Sequence, residues 1–179
     1  MTMDLQYRWL TEIQPQDAVK LEHLLMASIA DDGMLGFGES DSALIADYVA
    51  HLGAKLNNHI IHILLIDDVM SGRAAGVVVV TQIAHKTSCH IAELSKVIIE
   101  PTFRGAGLLK MGLRKVCQKA TSMGVTRFIF DVREDTPSAK LWHALGFETY
   151  GRLTDYSHYQ GKLHAGLFMT ARIEDLHAR

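Results

Sequence analysis

The sequence predicts an α/β fold, an α+β type mixed sheet with elements in the order β-α-α-β-β-β-α-β-α-β-β. Three observations lead there. Helix-periodic segments and short β-branched runs are interleaved rather than blocked, which points to one mixed sheet covered by helices. Three strand signals follow one another between positions 59 and 99, the pattern of an antiparallel meander. A single strand–helix–strand unit then runs from 89 to 132, long enough for one parallel βαβ crossover.

The elements can be justified in order. Leu5 to Ile13 is bulky and stops at Pro15, so a first strand is expected. Pro15 opens a helix whose first turn carries Asp17, favourable for the helix dipole, and Ala18, Leu21, Leu25 and Ile29 give it one apolar face. Asp31-Asp32-Gly33 ends it, and an unusually apolar connector, GMLGFGES, follows. Ser40 or Asp41 caps a second helix with Ile45, Tyr48, Val49, Leu52 and Leu56 on one stripe. Strands are expected at His59–Ile66, Ala74–Ala84 and Cys89–Ile99, with Asp67-Asp68 and Ser71-Gly72 turning the chain between the first two. A helix over Gly105–Ser122 points Leu109, Leu113, Val116 and Ala120 inward. A strand at Val125–Val132, a short helix at Pro137–Leu145 ended by Gly146, and strands at Phe147–Tyr156 and Leu163–Ala171 complete the chain.

A length of 179 residues suits one domain with its own core, here taken as residues 1–179. With 48% hydrophobic and 21% charged residues the composition is globular. The net charge of −2 argues against a general nucleic-acid binder, which would show a strongly basic footprint. No apolar run approaches the roughly 20 residues that span a membrane, and the N-terminus lacks the basic-then-apolar pattern of a signal peptide. Cys89 and Cys117 cannot form a disulfide framework and read as reduced thiols. A cytoplasmic protein is expected. The ten histidines give no zinc spacing, and His59 and His62, three apart on a strand, would face opposite sides, so no metal is expected.

The most informative segment runs from Lys96 to Val116, KVIIEPTFRGAGLLKMGLRKV. A strand ends, Pro101 stops it, and Arg104-Gly105-Ala106-Gly107 opens a helix. Glycines there let unpaired backbone N–H groups converge on an anion, with the helix dipole assisting. Arg104 and Lys110 add positive charge. A P-loop is excluded because no second glycine immediately precedes a lysine. A dinucleotide fingerprint fits poorly: Lys110 occupies the third glycine position, although Asp131 lies where a ribose-binding acid would sit.

Arg104-Gly105-Ala106-Gly107-Leu108 resembles the coenzyme A pyrophosphate loop of the GNAT superfamily of N-acetyltransferases, whose pattern is Q/R-x-x-G-x-G/A. The likeness extends to Val97-Ile98-Ile99-Glu100-Pro101 before the loop and to the segment from Pro137 to Phe147 after it, and the element order matches over nearly the whole chain. Within that superfamily the chain is most similar to the tabtoxin-resistance acetyltransferases, through Gly36-Phe37, Ala92-Glu93-Leu94-Ser95-Lys96, Gly151 to Tyr156, and Gly161-Lys162-Leu163-His164. Two positions depart from the family: Leu109 replaces the last small residue of the loop, and Trp142 replaces the tyrosine that commonly reprotonates the departing thiolate.

The resemblance implies transfer of an acetyl group from acetyl-CoA to an amine by direct attack in a ternary complex. The acceptor would be a small molecule, such as an amino-acid-like toxin or antibiotic. A protein or peptide N-acetyltransferase, or a weakly catalytic coenzyme A-binding regulatory module, is the alternative. The coenzyme would be held by the backbone of Val97, Ile98 and Ile99, by Arg104, Gly105, Ala106, Gly107, Leu108, Leu109 and Lys110, and by Ser138 and Trp142. Period-2 alternation places Glu93 on the same strand face as Val97 and Ile99, and burial among apolar neighbours would raise its basicity, so Glu93 is the expected base. Asp131 would bind the substrate ammonium or act with Glu93. Tyr156 would position substrate or donate a proton. Gly36, Phe37 and His164 are expected to border the acceptor. The family often forms homodimers, which leaves a homodimer open here without the sequence deciding it; nucleic acid and membrane partners are not expected.

Overall fold

The computed structural model describes residues 4–30 and 42–177. Among them the elements run β1 (Leu5–Trp9), α1 (Pro15–Ala30), α2 (Ser42–Asn57), β2 (Ile61–Asp68), β3 (Arg73–Gln82), β4 (Ile91–Ile99), α3 (Leu108–Ser122), β5 (Arg127–Arg133), α4 (Pro137–Ala144), β6 (Glu148–Tyr159), β7 (Lys162–Arg172) and α5 (Ile173–His177). The expected order is present. A 3-10 turn at Pro101–Phe103 and the short α5 are additions. The chain separates into two compact units, Met1–Thr81 with Ser95–Val116, and Gln82–Leu94 with Cys117–Arg179.

In the first unit the strands lie in the order β1-β2-β3-β4. β1 and β2, and β2 and β3, pair antiparallel, with Leu5 opposite Asp68 and Leu64 opposite Val78. Ile63, Leu64, Leu65 and Ile66 are each 0% exposed, so both faces of β2 are covered. This explains why β2 and β3 show continuous apolar runs instead of alternation. One face packs Ile61, Ile63, Leu65, Val77 and Val79 against Leu21, Leu24, Leu25 and Ile29 of α1 and Ile45, Val49, Leu52 and Leu56 of α2. Ile66 and Ala75 meet Phe103 and Leu108, which bring the start of α3 onto the sheet.

Asp67 and Asp68 were expected to turn the chain. They are instead the last residues of β2, buried and satisfied. Asp67 takes hydrogen bonds from Arg8 Nε at 2.8 Å and Lys20 Nζ at 2.7 Å, and Arg8 reaches Asp17 at 2.7 Å. Asp17 thus serves as a buried ion-pair partner as well as a first-turn acid. Asp68 accepts from Ser71 Oγ at 2.6 Å, and the turn proper falls at Gly72 with φ +70°. The first strand ends at Trp9, four residues before Ile13. β2 starts at Ile61, so His59 precedes it and the strand-face argument for His59 and His62 does not apply.

In the second unit the order is β4-β5-β7-β6. β4 and β5 pair in parallel through Ile91–Arg127, Ala92–Phe128 and Glu93–Ile129, which is the expected crossover. β5 and β6 each pair antiparallel with β7. Phe128, Phe130 and Val132 alternate with Ile129, Asp131 and Arg133 along β5, giving the two sheet faces different chemistry. Phe130 meets Trp142 and Phe147 at ring-centroid distances of 4.5 and 5.0 Å, closing an aromatic core beneath α4.

Candidate active site

The glycine loop of the first unit has the form an anion cradle needs. Helix α3 begins at Leu108, three residues later than the sequence pattern implies, so Gly105, Ala106 and Gly107 form the approach to it. Gly105 and Gly107 take φ values of +78° and +75°, in the left-handed region that glycine enters without a Cβ penalty. No atom lies within 4 Å of where a Cβ would stand on either, and Arg104 through Gly107 are exposed. The Gly107 carbonyl accepts the first helical bond, from Met111 N at 3.1 Å. The preceding first-turn N–H groups therefore have no intrahelical acceptor, and the dipole adds positive potential where they point. Arg104 Nε donates to the Ile99 carbonyl at 3.2 Å, tying the loop to the end of β4, and Lys110 is exposed in the first turn. A diphosphate fits this donor set. Leu108 is buried against Ile66, Ala75 and Phe103, and Leu109 is half-buried.

Strand β4 does not keep the simple alternation expected of it. Lys96 has φ +47°, a left-handed conformation in mid-strand. Strict period-2 from Glu93 through Val97 to Ile99 is interrupted there. Val97 and Ile99 are half-buried and Ile98 is buried. Glu93 itself is exposed, so its expected setting among buried apolar side chains is corrected.

Glu93, Asp131 and Tyr156 belong to the second unit. Asp131 lies within β5, which continues to Arg133, one residue beyond the expected end at Val132. The Tyr156 hydroxyl donates a hydrogen bond to Asp131 Oδ2. Burial raises the Tyr156 pKa, and the Asp131 hydrogen bond and the negative charges of Asp131 and Glu93 raise it further. Tyr156 is therefore held as a neutral phenol. Its hydrogen is committed to Asp131 and its oxygen lone pairs remain as acceptors. Two carboxylates and an acceptor-oriented phenol make a patch suited to a cation rich in N–H donors.

His164 lies on β7, with Nδ1 donating to Asp135 Oδ2 at 2.9 Å. Arg133 Nε donates to Asp135 Oδ1 at 2.9 Å, and the Arg133 guanidinium sits 5.6 Å from the Tyr159 ring centre. The Asp135 pKa is lowered first by the His164 hydrogen bond and also by Arg133. Ser138 is exposed in the first turn of α4. Trp142, expected beside the coenzyme's pantetheine arm, is 7% exposed within the Phe130–Phe147 aromatic core. Phe130 and Asp131 are successive strand residues, so this core lies on the opposite sheet face from Asp131. Packing accounts for Trp142. Gly36 and Phe37 lie outside the described residues.

Sequence reasoning passed over Asp135, which is part of a charged run of three, and Gly166, an isolated glycine in a strand pattern and a signal of close approach. Among the described residues no group of three or more His, Cys, Asp or Glu side chains is placed to hold a metal, and no helix is long and apolar enough to cross a membrane.

Comparison with known proteins bears on the fold. Residues 24–147 match the model of the acetyltransferase (GNAT) family. A search of curated protein sequences gives no significant match. Among solved structures, a candidate phosphinothricin N-acetyltransferase superposes with a TM-score of 0.77 at 17% identity, covering 95% of this chain and 99% of that one. A candidate acetyltransferase from Salmonella typhimurium, solved with its cofactor acetyl-CoA, gives 0.75 at 15% identity over 95% and 94%. A ribosomal-protein-alanine N-acetyltransferase from Brucella melitensis gives 0.74 at 18% identity over 93% and 99%. These identities establish likeness of fold, and the family match covers more than half of the sequence. The chain belongs to the acetyltransferase (GNAT) family.

Proposed function

We propose that the protein is an N-acetyltransferase that passes the acetyl group of acetyl-CoA to the amine of a small, cationic or amino-acid-like molecule. The observation that carries this reading is the Tyr156–Asp131 hydrogen bond with Glu93 in electrostatic range of it. An acceptor amine arrives as an ammonium ion with three donors and one positive charge. Asp131 and Glu93 supply the opposite charge, and the Tyr156 oxygen accepts an N–H. The amine must lose a proton before it attacks, and Glu93, exposed and able to reach water, takes it directly or through one water. Tyr156 acts here in positioning; its raised pKa makes it a poor proton donor.

The Arg104–Lys110 loop holds the coenzyme's diphosphate through its first-turn N–H groups and its two cations. The β4 backbone at Val97–Ile99 pairs with the pantetheine arm. Within this family reading, His164 borders the acceptor with its ring oriented by Asp135.

The test is steady-state release of coenzyme A from acetyl-CoA against amino acids, β-lactam amino acids, polyamines and short peptides. Turnover with small charged amines is expected. Glu93→Gln should lower kcat about 100-fold and leave acetyl-CoA affinity unchanged. Turnover only with peptides would replace this reading by a protein acetyltransferase. Acetyl-CoA binding without turnover on any amine would replace it by a binding module.

A further inference from the structure

We propose that Gly166 is a positioning residue of the acceptor site, the gap in β7 across which Tyr156 reaches Asp131. The inference rests on the reading of Tyr156 and Asp131 as acceptor-binding groups. Tyr156 is on β6 and Asp131 on β5, and β7 runs between them. Neighbouring strands lie about 4.8 Å apart. The pair therefore spans two strand spacings, and the phenol ring must lie down across β7 to make its bond.

The β7 residues on that face are His164, Gly166 and Phe168, set by the pairing of Asp131 with Phe168 and of Arg133 with Gly166. A Cβ at position 166 would come within 2.5 Å of Tyr156 Cδ1 and 2.7 Å of Tyr156 Cβ, distances no real side chain occupies. The ring thus rests on bare backbone at Gly166. Phe168 supports its edge, with centroids 6.0 Å apart and planes at 87°. Gly166 is absent from the glycines with positive φ, so its backbone makes no demand for glycine. A glycine in mid-strand weakens packing, and the close approach of Tyr156 is the local reason for it.

The β6 strand supplies the other half of the arrangement. Between Leu153 and Ser157 it advances four residues, while its partner moves two, from Gly166 to His164. The extra residues form a bulge that contains Tyr156. Bulges bend a strand and re-aim a side chain. The bulge turns Tyr156 inward and Gly166 makes room for it.

The experiment uses the full-length protein labelled with 13Cζ-tyrosine, with the Tyr156 resonance identified by its absence in Tyr156→Phe. Gly166→Ala should shift that resonance in the same direction as Asp131→Asn. Gly151→Ala should not, because a Cβ there stays 3.6 Å or more from its neighbours. Gly166→Ala should also lower kcat/KM for the amine at least tenfold, leave acetyl-CoA affinity unchanged, and add little in a Tyr156→Phe background. If Gly166→Ala folds poorly, its loss in melting temperature should vanish in a Tyr156→Ala background, where the ring is gone. An unmoved Tyr156 resonance, or a melting loss that persists without the ring, overturns the proposal. Loss of amine turnover in Tyr156→Phe but not in Gly166→Ala overturns it as well. Unchanged turnover in Tyr156→Phe instead overturns the assignment of Tyr156 to the acceptor site, while the resonance still decides whether Gly166 positions the ring.

Discussion

Tyr156 donates its hydroxyl hydrogen to Asp131 although their strands, β6 and β5, are not neighbours in the sheet. Burial, then the bond to Asp131, then the charges of Asp131 and Glu93, raise the Tyr156 pKa above its ordinary value near 10. The folded state therefore keeps this proton at a pH where the unfolded chain has lost it. The stability contributed by the neutral phenol is fully present below pH 10 and is lost as pH rises from there toward the folded pKa. The slope from one such group is at most about 1.4 kcal/mol per pH unit. Tyr7, raised by burial, adds a contribution of the same sign. Urea unfolding between pH 9 and 11 should show a falling stability that is shallower in Tyr156→Phe. Equal slopes would mean that the phenol titrates alike in both states.

The glycine loop makes a separable prediction, because its chemistry lies in backbone N–H groups. Gly107→Ala places a Cβ into open space, so no neighbour is displaced, but a residue with a side chain is strained at φ +75° by about 1–2 kcal/mol. Relaxing that strain rotates the donors at the start of α3. The acetyl-CoA dissociation constant should rise about tenfold by calorimetry, with only a small change in melting temperature. Arg104→Glu should weaken binding further and reduce its salt dependence, since it replaces attraction to the diphosphate by repulsion. Unchanged affinity in both variants would remove the loop from the coenzyme site.

The two ends of the chain's chemistry were unequally legible. The loop could be read because its requirements are local: left-handed glycines followed by a helix start, within four residues. The βαβ crossover and the inward faces of α1 and α2 were legible for the same reason, as periodicities within one segment. Tyr156, Asp131 and Glu93 could be nominated, but their relation could not, because it depends on strand order and on register. The bulge before Ser157 adds residues that alternation cannot count, and the left-handed Lys96 interrupts the period used to place Glu93 beside Ile99. Asp67 and Asp68 were misread as a turn because paired aspartates favour turns locally. Arg8 and Lys20, distant in sequence, make a strand position tenable for Asp67.

That ion-pair group should dominate the stability of the first unit's polar interior. Asp17 has a side chain only 2% exposed and takes its 2.7 Å bond from Arg8, which also holds Asp67. Arg8→Met removes the cation and leaves the Asp17 carboxylate buried, whereas Asp67 keeps Lys20 at 2.7 Å. Breaking a fully buried pair costs about 3–5 kcal/mol, and the 33% exposure of Arg8 puts the expected loss near the lower end, about 3 kcal/mol. Chemical denaturation should show it. A loss below about 1 kcal/mol would place the pair with ordinary surface salt bridges.

The two cysteines should differ sharply toward thiol reagents. Cys89 is exposed, its Sγ 3.2 Å from the Lys86 carbonyl, while Cys117 is buried in α3 and burial pushes its thiol up to about 11. The thiolate is the reactive form, so at pH 8 Cys117 is both shielded and protonated. The native protein should release one equivalent of chromophore from a disulfide reagent, and two after unfolding. Cys89→Ser should abolish the native signal, and the same variant gives a cleaner background for measuring coenzyme A release. Two fast equivalents from the native protein would show that α3 opens on the time scale of the assay, and would contradict the packing of Cys117 described above.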